Sequence, residues 1–147
     1  MKARIRTAKK SDADEILRLL YELERPRPKN KLEKTRFRKQ ILQYLSDGDK
    51  KILVAETDCK IVGLVSIVLT LRLNRTKLEM YVPELVVAKD HRRSGVGKLL
   101  IDSCVEIAKK KNCFRIRLES GNQRSQAHKF YKKTGFEQPA KTYVMNL

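Results

Sequence analysis

A short segment in the middle of the chain combines cations and glycines in a way that suits anion binding. Arg92-Arg93-Ser94-Gly95-Val96-Gly97 follows a β-branched run at residues 84–88. A mostly apolar stripe of helical period comes next, at Val96, Leu99, Leu100, Ser103, Cys104, Ile107 and Ala108. Glycines leave the backbone amides of a helix N-terminus accessible, and flanking arginines add positive charge. The sequence therefore predicts a strand, a phosphate-binding turn and a helix.

Two common nucleotide-binding motifs do not fit this turn. The dinucleotide fingerprint needs a third glycine where this chain has Leu100, and it belongs to the first of several βαβ units. The P-loop needs four residues between its glycines and a Ser or Thr after its lysine. Gly97-Lys98-Leu99 meets neither condition. The predicted phosphate therefore belongs to a different kind of ligand.

A second group of polar residues lies on a helix predicted at residues 123–134 and closed by Gly135. Arg124, His128 and Tyr131 form one stripe at helical spacing. Because this stripe carries polar tips, we expect Tyr131 to point into a cleft. A tyrosine anchored in the core by one hydrogen bond is the alternative interpretation.

The whole chain is predicted to form one domain, residues 1–147, of the α/β (mixed α+β) class. We expect a mixed, mostly antiparallel sheet of six or seven strands with about four helices. The predicted helices are residues 11–23, opened by a capping box at Ser11 and Asp14, then 32–45, 96–108 and 123–134. The predicted strands are residues 2–7, 51–56, 60–71, 77–88 with a bulge at Pro83, 113–119, and 141–147. The strands on either side of the third helix should pair in parallel.

The amino-acid composition of the chain indicates which classes of molecule it can bind. The chain has 34 Lys and Arg against 17 Asp and Glu, a formal charge of +17, which predicts attraction to polyanions unless it serves solubility alone. Three cysteines without Cys-x-x-Cys spacing and two histidines favour buried thiols in a reducing cytoplasm, and no metal site. The sequence shows neither a signal-peptide pattern nor a run long enough to span a bilayer, so we expect a cytoplasmic protein with no membrane partner.

The two motifs together resemble a known family. Arg92-x-x-Gly95-x-Gly97 after one strand, and Phe130-Tyr131-x-x-x-Gly135-Phe136 after the next, are similar to the GNAT superfamily of acetyl-CoA-dependent N-acetyltransferases. The resemblance spans residues 81–137. The block Arg124-x-x-Ala127-His128-x-Phe130-Tyr131 resembles a bacterial and archaeal subgroup of small-molecule acetyltransferases. The resemblance implies an acyltransferase that moves an acetyl group from acetyl-CoA to a primary amine by direct transfer in a ternary complex.

The resemblance also implies a set of CoA-binding residues. The turn would hold the pyrophosphate, the strand before it would pair with pantetheine, and Tyr131 would stand close to the CoA sulfur. One departure is that Arg124 occupies the register in which many members carry Asn. The implied CoA-binding residues are Val86, Val87, Ala88, Arg92, Arg93, Ser94, Gly95, Val96, Gly97, Lys98, Asn122, Arg124, His128 and Tyr131.

Acetyl transfer to an amine needs an acid, a base and an oxyanion donor. Tyr131 is the predicted acid for the departing thiolate. A backbone N–H near Val86 or Val87, freed by the distortion at Pro83, is the predicted oxyanion donor. Glu84 is the candidate base for the amine proton, with a salt bridge at the strand edge as the alternative role.

The acceptor is less well defined by the sequence. Residues 25–39 hold eight basic residues and one acid, Glu33, and would border the acceptor side in the GNAT fold. Such a cationic rim favours a small amine that carries an anionic group, although charge runs are often only solvated helix faces. A basic nucleic-acid-binding or acetyl-CoA-sensing adaptor and a protein N-terminal or lysine acetyltransferase remain as alternatives, and a homodimer is left open.

Overall fold

The structure, a computed structural model, describes residues 2–147 and divides into two compact units, one ending at Arg117 and the other comprising Leu118–Leu147. The sheet contains six strands. The strands are β1 (Arg4–Thr7), β2 (Lys50–Thr57), β3 (Lys60–Leu71), β4 (Leu78–Val82), β5 (Leu85–Val87) and β6 (Arg115–Leu118). The helices are α1 (Ala13–Glu22), α2 (Lys31–Ser46), α3 (Val96–Lys110) and α4 (Ser125–Lys133).

The sheet is built around β3, whose central residues are buried. The strand order is β1-β2-β3-β4-β6, and β5 pairs with β3 beyond the end of β4. Consecutive side chains of β3 point to opposite faces. Leu64 faces a cavity lined by α1 and α2, whereas Gly63 faces Val96 and Leu100 of α3. This arrangement confirms the predicted mixed sheet with helices on both faces.

The hairpin between β2 and β3 follows from two residues with positive φ. Thr57 pairs with Lys60, so Asp58 and Cys59 alone form the loop. Their φ angles of 50° and 61° match the type I′ turn, whose twist suits the flanking strands. A two-residue turn therefore joins the predicted strands 51–56 and 60–71.

The predicted strand 77–88 is interrupted at Pro83. Proline has no N–H to donate to a ladder, and the segment forms two strands, β4 and β5, with Pro83 and Glu84 between them. Ser66 of β3 spans the interruption. Its amide donates to the Glu84 carbonyl (2.9 Å), and its Oγ accepts from the Glu84 amide (3.0 Å). The expected distortion is present, as a break between two strands.

The strand β6 lies next to β4 in the sheet, while β5, the strand just before α3, pairs with β3. Of the predicted strand 77–88, the β4 half therefore lies next to β6, and the parallel direction of this pairing stays a prediction. Glu79 of β4 is almost fully buried, with 1% of its side chain exposed, and contacts three guanidinium groups. Its partners are Arg115 (2.5 Å), Arg117 (3.1 Å) and Arg72 (3.5 Å).

The predicted capping box at Ser11 and Asp14 is wrong. A 3₁₀ turn at Lys10–Asp12 precedes α1, and Asp12 Oδ2 accepts from the Lys9 amide at 2.7 Å. Arg6 of β1 binds both oxygens of Asp12 and also reaches Glu56 of β2. The Arg6 guanidinium holds the pKa of Asp12 below its ordinary value. Arg6 belongs to β1, so the spacing of residues around Ser11 could not show that Asp12 would have this partner.

The predicted last strand at residues 141–147 is also wrong. These residues form no strand, and their large apolar side chains are exposed. A strand is completed by hydrogen bonds to a neighbour, and alternation in sequence gives only the tendency. Tyr143, Val144, Met145 and Leu147 are the exposed side chains.

Candidate functional site

The strand β5 presents one edge to β3 and the other away from it. In an antiparallel pair, alternate residues direct their N–H and C=O groups toward the partner. Leu64 pairs with Val86, and the Ala88 amide donates to Val62 O at 2.8 Å, so Val86 and Ala88 face β3. Leu85 and Val87 therefore direct their main-chain groups to the opposite edge. Of the three residues predicted to pair with pantetheine, Val87 has the orientation that this role needs.

The turn after β5 has the backbone shape of an anion-binding nest. Arg93 has φ 63°, and Gly95, the N-cap residue of α3, has φ 87°. Alternation of right- and left-handed residues directs successive amides to one side of the chain. No side chain caps α3, so the amides of its first turn lack a side-chain acceptor. The predicted cradle at residues 92–97 therefore has a suitable backbone.

Several side chains around the turn already have partners within the protein. Arg92 donates through Nε to Val87 O at 3.1 Å and lies 4.0 Å from Glu22. Ser94 Oγ donates to His91 O. Lys98 pairs with Asp102 at 2.7 Å, one turn along α3. Arg93 is exposed on the same turn.

A cavity of about 310 Å³ lies on the α1–α2 face of the sheet, and Glu84 is one of its walls. Ten of its fourteen lining residues are apolar or aromatic, among them Tyr21 of α1 and Phe37 of α2. The polar members are Arg25, Gln40, Ser66 and Glu84. The cavity therefore suits a ligand with an apolar body and a group that a carboxylate attracts.

Glu84 is held at the cavity by specific contacts. Ser66 Oγ donates to its Oε2, and Arg25 lies 3.8 Å from its Oε1 while donating to Pro83 O at 3.0 Å. The Glu84 side chain keeps 26% of its surface exposed. Burial, with the charge of Glu84 in addition, raises the pKa of the nearby Tyr44 to about 12, so this phenol stays neutral. Glu84 is thus the carboxylate available for proton transfer in the cavity.

The second unit contains the Phe130-Tyr131 motif. Gly135 (φ 101°) ends α4 in a Schellman arrangement, in which Gly135 N donates to Lys132 O and Phe136 N to Tyr131 O. This turn brings Phe136 edge-on to Tyr131, with 5.7 Å between ring centroids. Burial raises the pKa of Tyr131, although Arg124 opposes the shift. The phenol is therefore protonated at neutral pH, as a general acid requires.

The other predicted residues of this unit surround the start of α4. The His128 ring lies 2.8 Å from Gly121 O, and the Arg124 amide donates to the same carbonyl. His128 thus fixes the turn before the helix. Asn122 is exposed within that turn.

Four residues of the site were not predicted: Gly63, Ser66, Leu85 and Tyr44. A Cβ on Gly63 would meet Val96 Cγ1 at 3.1 Å and Val86 O at 3.2 Å, so glycine allows α3 to approach the sheet closely. The isolated glycine within a strand is the signal that identifies this position. Ser66 is the polar residue in the buried part of β3, which is the corresponding signal for the Glu84 contact.

The sequence comparison decides the family. Residues 16–136 match the family described as Acetyltransferase (GNAT) family. The chain belongs to the GNAT family.

Relatives agree with this assignment. The chain is 31% identical over 136 residues to an uncharacterized N-acetyltransferase of Methanocaldococcus jannaschii, covering 91% of this chain but 60% of that protein. It is 27% identical over 134 residues to the aminoalkylphosphonate N-acetyltransferase of Salmonella typhimurium, covering 91% and 84%. The glucosamine-6-phosphate N-acetyltransferase of Arabidopsis thaliana shares the fold, with a TM-score of 0.84, 20% identity and 99% of each chain covered.

The buried and half-buried cysteine thiols are not candidates for a second reactive site. Burial raises the pKa of the Cys104 thiol to about 12 and also raises that of Cys113. Neither thiol is thus a ready nucleophile. Within residues 2–147 no cluster of His, Cys, Asp and Glu suits a metal ion, and no helix is long and apolar enough to cross a membrane.

We predict that Gly63→Ala disturbs the candidate phosphate-binding turn at residues 92–97, although Gly63 itself lies on β3 and outside this turn. The added methyl group would push against Val96 and Val86, which displaces the start of α3 from β5. We expect a loss of about 1–3 kcal/mol in the free energy of unfolding and weaker binding of acetyl-CoA by isothermal calorimetry. Gly48→Ala is the matched control, because nothing lies within 4 Å of its Cβ. Equal effects of the two substitutions would contradict this account.

Proposed function

We propose that this protein transfers the acetyl group of acetyl-CoA to the primary amine of a small acceptor. The observation that carries the proposal is the position of Glu84. It lines the cavity and immediately precedes β5, whose outward edge leads to the turn at Arg92–Gly97. An acceptor in the cavity would therefore present its amine next to the strand that holds the thioester. Family membership supports the reaction class.

The proposed reaction is a direct transfer in a ternary complex. The neutral amine attacks the thioester carbonyl carbon, and an outward amide of β5, from Leu85 or Val87, stabilises the oxyanion. Glu84 accepts the proton that the amine nitrogen loses, directly or through water. The carbon–sulfur bond then breaks, and Tyr131 donates its proton to the departing thiolate. The products are the acetylated amine and CoA, with the Glu84 proton returned to Tyr131 through solvent.

The acceptor is proposed to carry an anionic group. Arg25 is the cation among the described lining residues, and 48% of its side chain is exposed. A phosphonate, phosphate or carboxylate at the mouth would replace its 3.8 Å contact with Glu84, which frees that carboxylate for the amine. The related Salmonella protein is named for an aminoalkylphosphonate acceptor. An apolar segment between the amine and the anion fits the walls of the cavity.

A binding measurement followed by a turnover measurement tests the proposal. Acetyl-CoA at about 100 times its Kd should stabilise the fold by about 2.7 kcal/mol, which a thermal-shift assay detects. Thiol release should then be followed across neutral amines, amino acids, aminophosphonates and peptide N-termini. Stabilisation without turnover of any amine would favour an acetyl-CoA sensor, and the absence of both would overturn the proposal.

Glu84→Gln should lower kcat by about 10²–10⁴-fold, because the amide cannot accept the amine proton. Acetyl-CoA should still raise the Tm of this variant. Glu106→Gln, an exposed change of the same chemistry on α3, is the control. Turnover by Glu84→Gln at the rate of this control would rule out Glu84 as the base.

Tyr131→Phe should slow turnover by about 10²-fold and leave the Kd for acetyl-CoA unchanged, since the ring contacts with Phe130 and Phe136 remain. Because burial raises the pKa of Tyr131, the wild-type rate should fall only at a pH above the ordinary range of a tyrosine, and the variant should lack this alkaline limb. Tyr143→Phe, at a fully exposed position, is the matched control. A weaker acetyl-CoA affinity with unchanged kcat would instead indicate a binding role.

Arg25→Gln should raise KM about tenfold for an aminophosphonate and leave KM for the corresponding uncharged amine nearly unchanged. The guanidinium acts only on acceptors that carry an anion. Arg36→Gln, an exposed position on α2 outside the cavity lining, removes the same charge and serves as control. The same KM change for charged and uncharged amines would show that Arg25 shapes the cavity and does not select the anion.

A further inference from the structure

A cationic surface lies at the end of the sheet formed by the β3–β4 loop, the segment after α3, and β6. We call it the basic tip. It is distinct from the residues assigned to the acetyltransferase site. Its cations are Arg72, Arg75, Lys77, Lys109, Lys110, Lys111, Arg115 and Arg117.

Direct contacts join these segments into one surface. Arg75 of the loop and Arg115 of β6 both lie over the Phe114 ring, with guanidinium carbons 4.5 and 5.3 Å from its centroid. Arg117 lies 4.3 Å over the Tyr81 ring. Arg72, Arg115 and Arg117 converge on Glu79. The arginines are therefore held in place by rings and by a carboxylate underneath them.

The charge of the basic tip is unbalanced. Residues 69–82 and 108–118 contain eight cations and one acid, Glu79. That acid is buried beneath the arginines, which keep between 37% and 46% of their side chains exposed. The surface therefore presents a strong positive potential with no exposed carboxylate from these segments to screen it.

Two large apolar side chains project from the same surface. Leu71 ends β3 with 69% of its surface exposed, and Leu73 is fully exposed in the loop between Arg72 and Arg75. An exposed leucine alone is ordinary on a protein surface. Two leucines surrounded by cations combine the two features that peripheral membrane proteins use, an apolar insertion and a basic ring.

We propose that the basic tip docks on the anionic surface of a lipid bilayer, with Leu73 and Leu71 inserted between headgroups and the arginines on lipid phosphates. Neither feature is strong enough alone, and stable attachment generally takes two signals. Such docking requires no spanning segment. It departs from the expectation of no membrane partner, which was based only on the lack of a run long enough to span a bilayer. Nucleic acid explains the surface less well. Guanidinium groups already lie over the Phe114 and Tyr81 rings, which leaves less of these rings for stacking on bases, and RNA gives the leucines no role.

The absence of tryptophan from the chain makes the test direct. Leu73→Trp introduces a single indole, whose emission should shift to shorter wavelength with vesicles of phosphatidylcholine and phosphatidylglycerol but not with phosphatidylcholine alone. In sedimentation with the mixed vesicles, Leu73→Ser should weaken partitioning several-fold. The double variant Arg75→Gln/Lys77→Gln should weaken it by at least about tenfold.

The control is Arg36→Gln/Lys39→Gln, which removes the same charge from the exposed face of α2. It should retain nearly all partitioning. Equal losses for the two double variants would show that net charge alone is responsible and would overturn the proposal, as would an unshifted indole. Thermal melting of every variant should match the wild type, because the altered side chains are exposed.

Two alternative occupants give different results. Binding of single-stranded RNA that depends on Arg75 and Lys77, without vesicle binding, would assign the surface to nucleic acid and overturn the lipid proposal. A concentration-dependent dimer that Leu73→Ser dissociates, again without vesicle binding, would assign it to a second copy of the chain. Acetyl transfer by Leu73→Ser should equal that of the wild type, so a failure of the enzymatic proposal can be told apart from a failure of this one.

Discussion

The pair of main-chain hydrogen bonds between Ser66 and Glu84 is the constraint on which the cavity and its proposed acceptor site depend. A proline at position 83 stops β4, and the chain must still return to β3. Ser66 makes this return possible, because its amide and hydroxyl satisfy both main-chain groups of Glu84 within a buried region. The same hydroxyl donates to the carboxylate. Ser66 therefore completes the hydrogen bonding that Pro83 interrupts and orients the Glu84 side chain toward the cavity.

The neighbouring positions of β3 link the Ser66–Glu84 contact to the proposed cofactor-binding turn at the start of α3. Because strand side chains alternate, Leu64 and Ser66 face the cavity while Gly63 faces α3. Glycine at 63 lets the first turn of α3 approach β5 closely. The distance between the carboxylate and the anion-binding turn is thus determined by a few residues of one rigid central strand. A site built on such an element is more precise than one built on loops.

Local chemistry made most of the elements predictable. Gly95 and Gly135 occupy positive φ, and the two-residue turn at Asp58 and Cys59 follows from the spacing of the strands around it. The features that were missed depend on partners in other elements of the fold. Asp12 and not Ser11 is the N-cap residue of α1, and its carboxylate binds Arg6 and the Lys9 amide; Ser66 matters because β3 lies beside the break at Pro83. Residues 141–147 alternate like a strand, but alternation does not provide a hydrogen-bonded neighbour.

The burial of Glu79 beneath three arginines makes the pairing of β4 with β6 sensitive to acid. Burial alone would raise the pKa of this carboxyl, but the arginines outweigh it and hold the pKa below its ordinary value. A carboxylate with a depressed pKa stabilises the fold above the pKa of the unfolded chain, and that contribution is lost as the pH falls through the folded value. Protonation at acid pH would leave three guanidinium groups around a neutral acid, and their mutual repulsion would weaken this edge of the sheet.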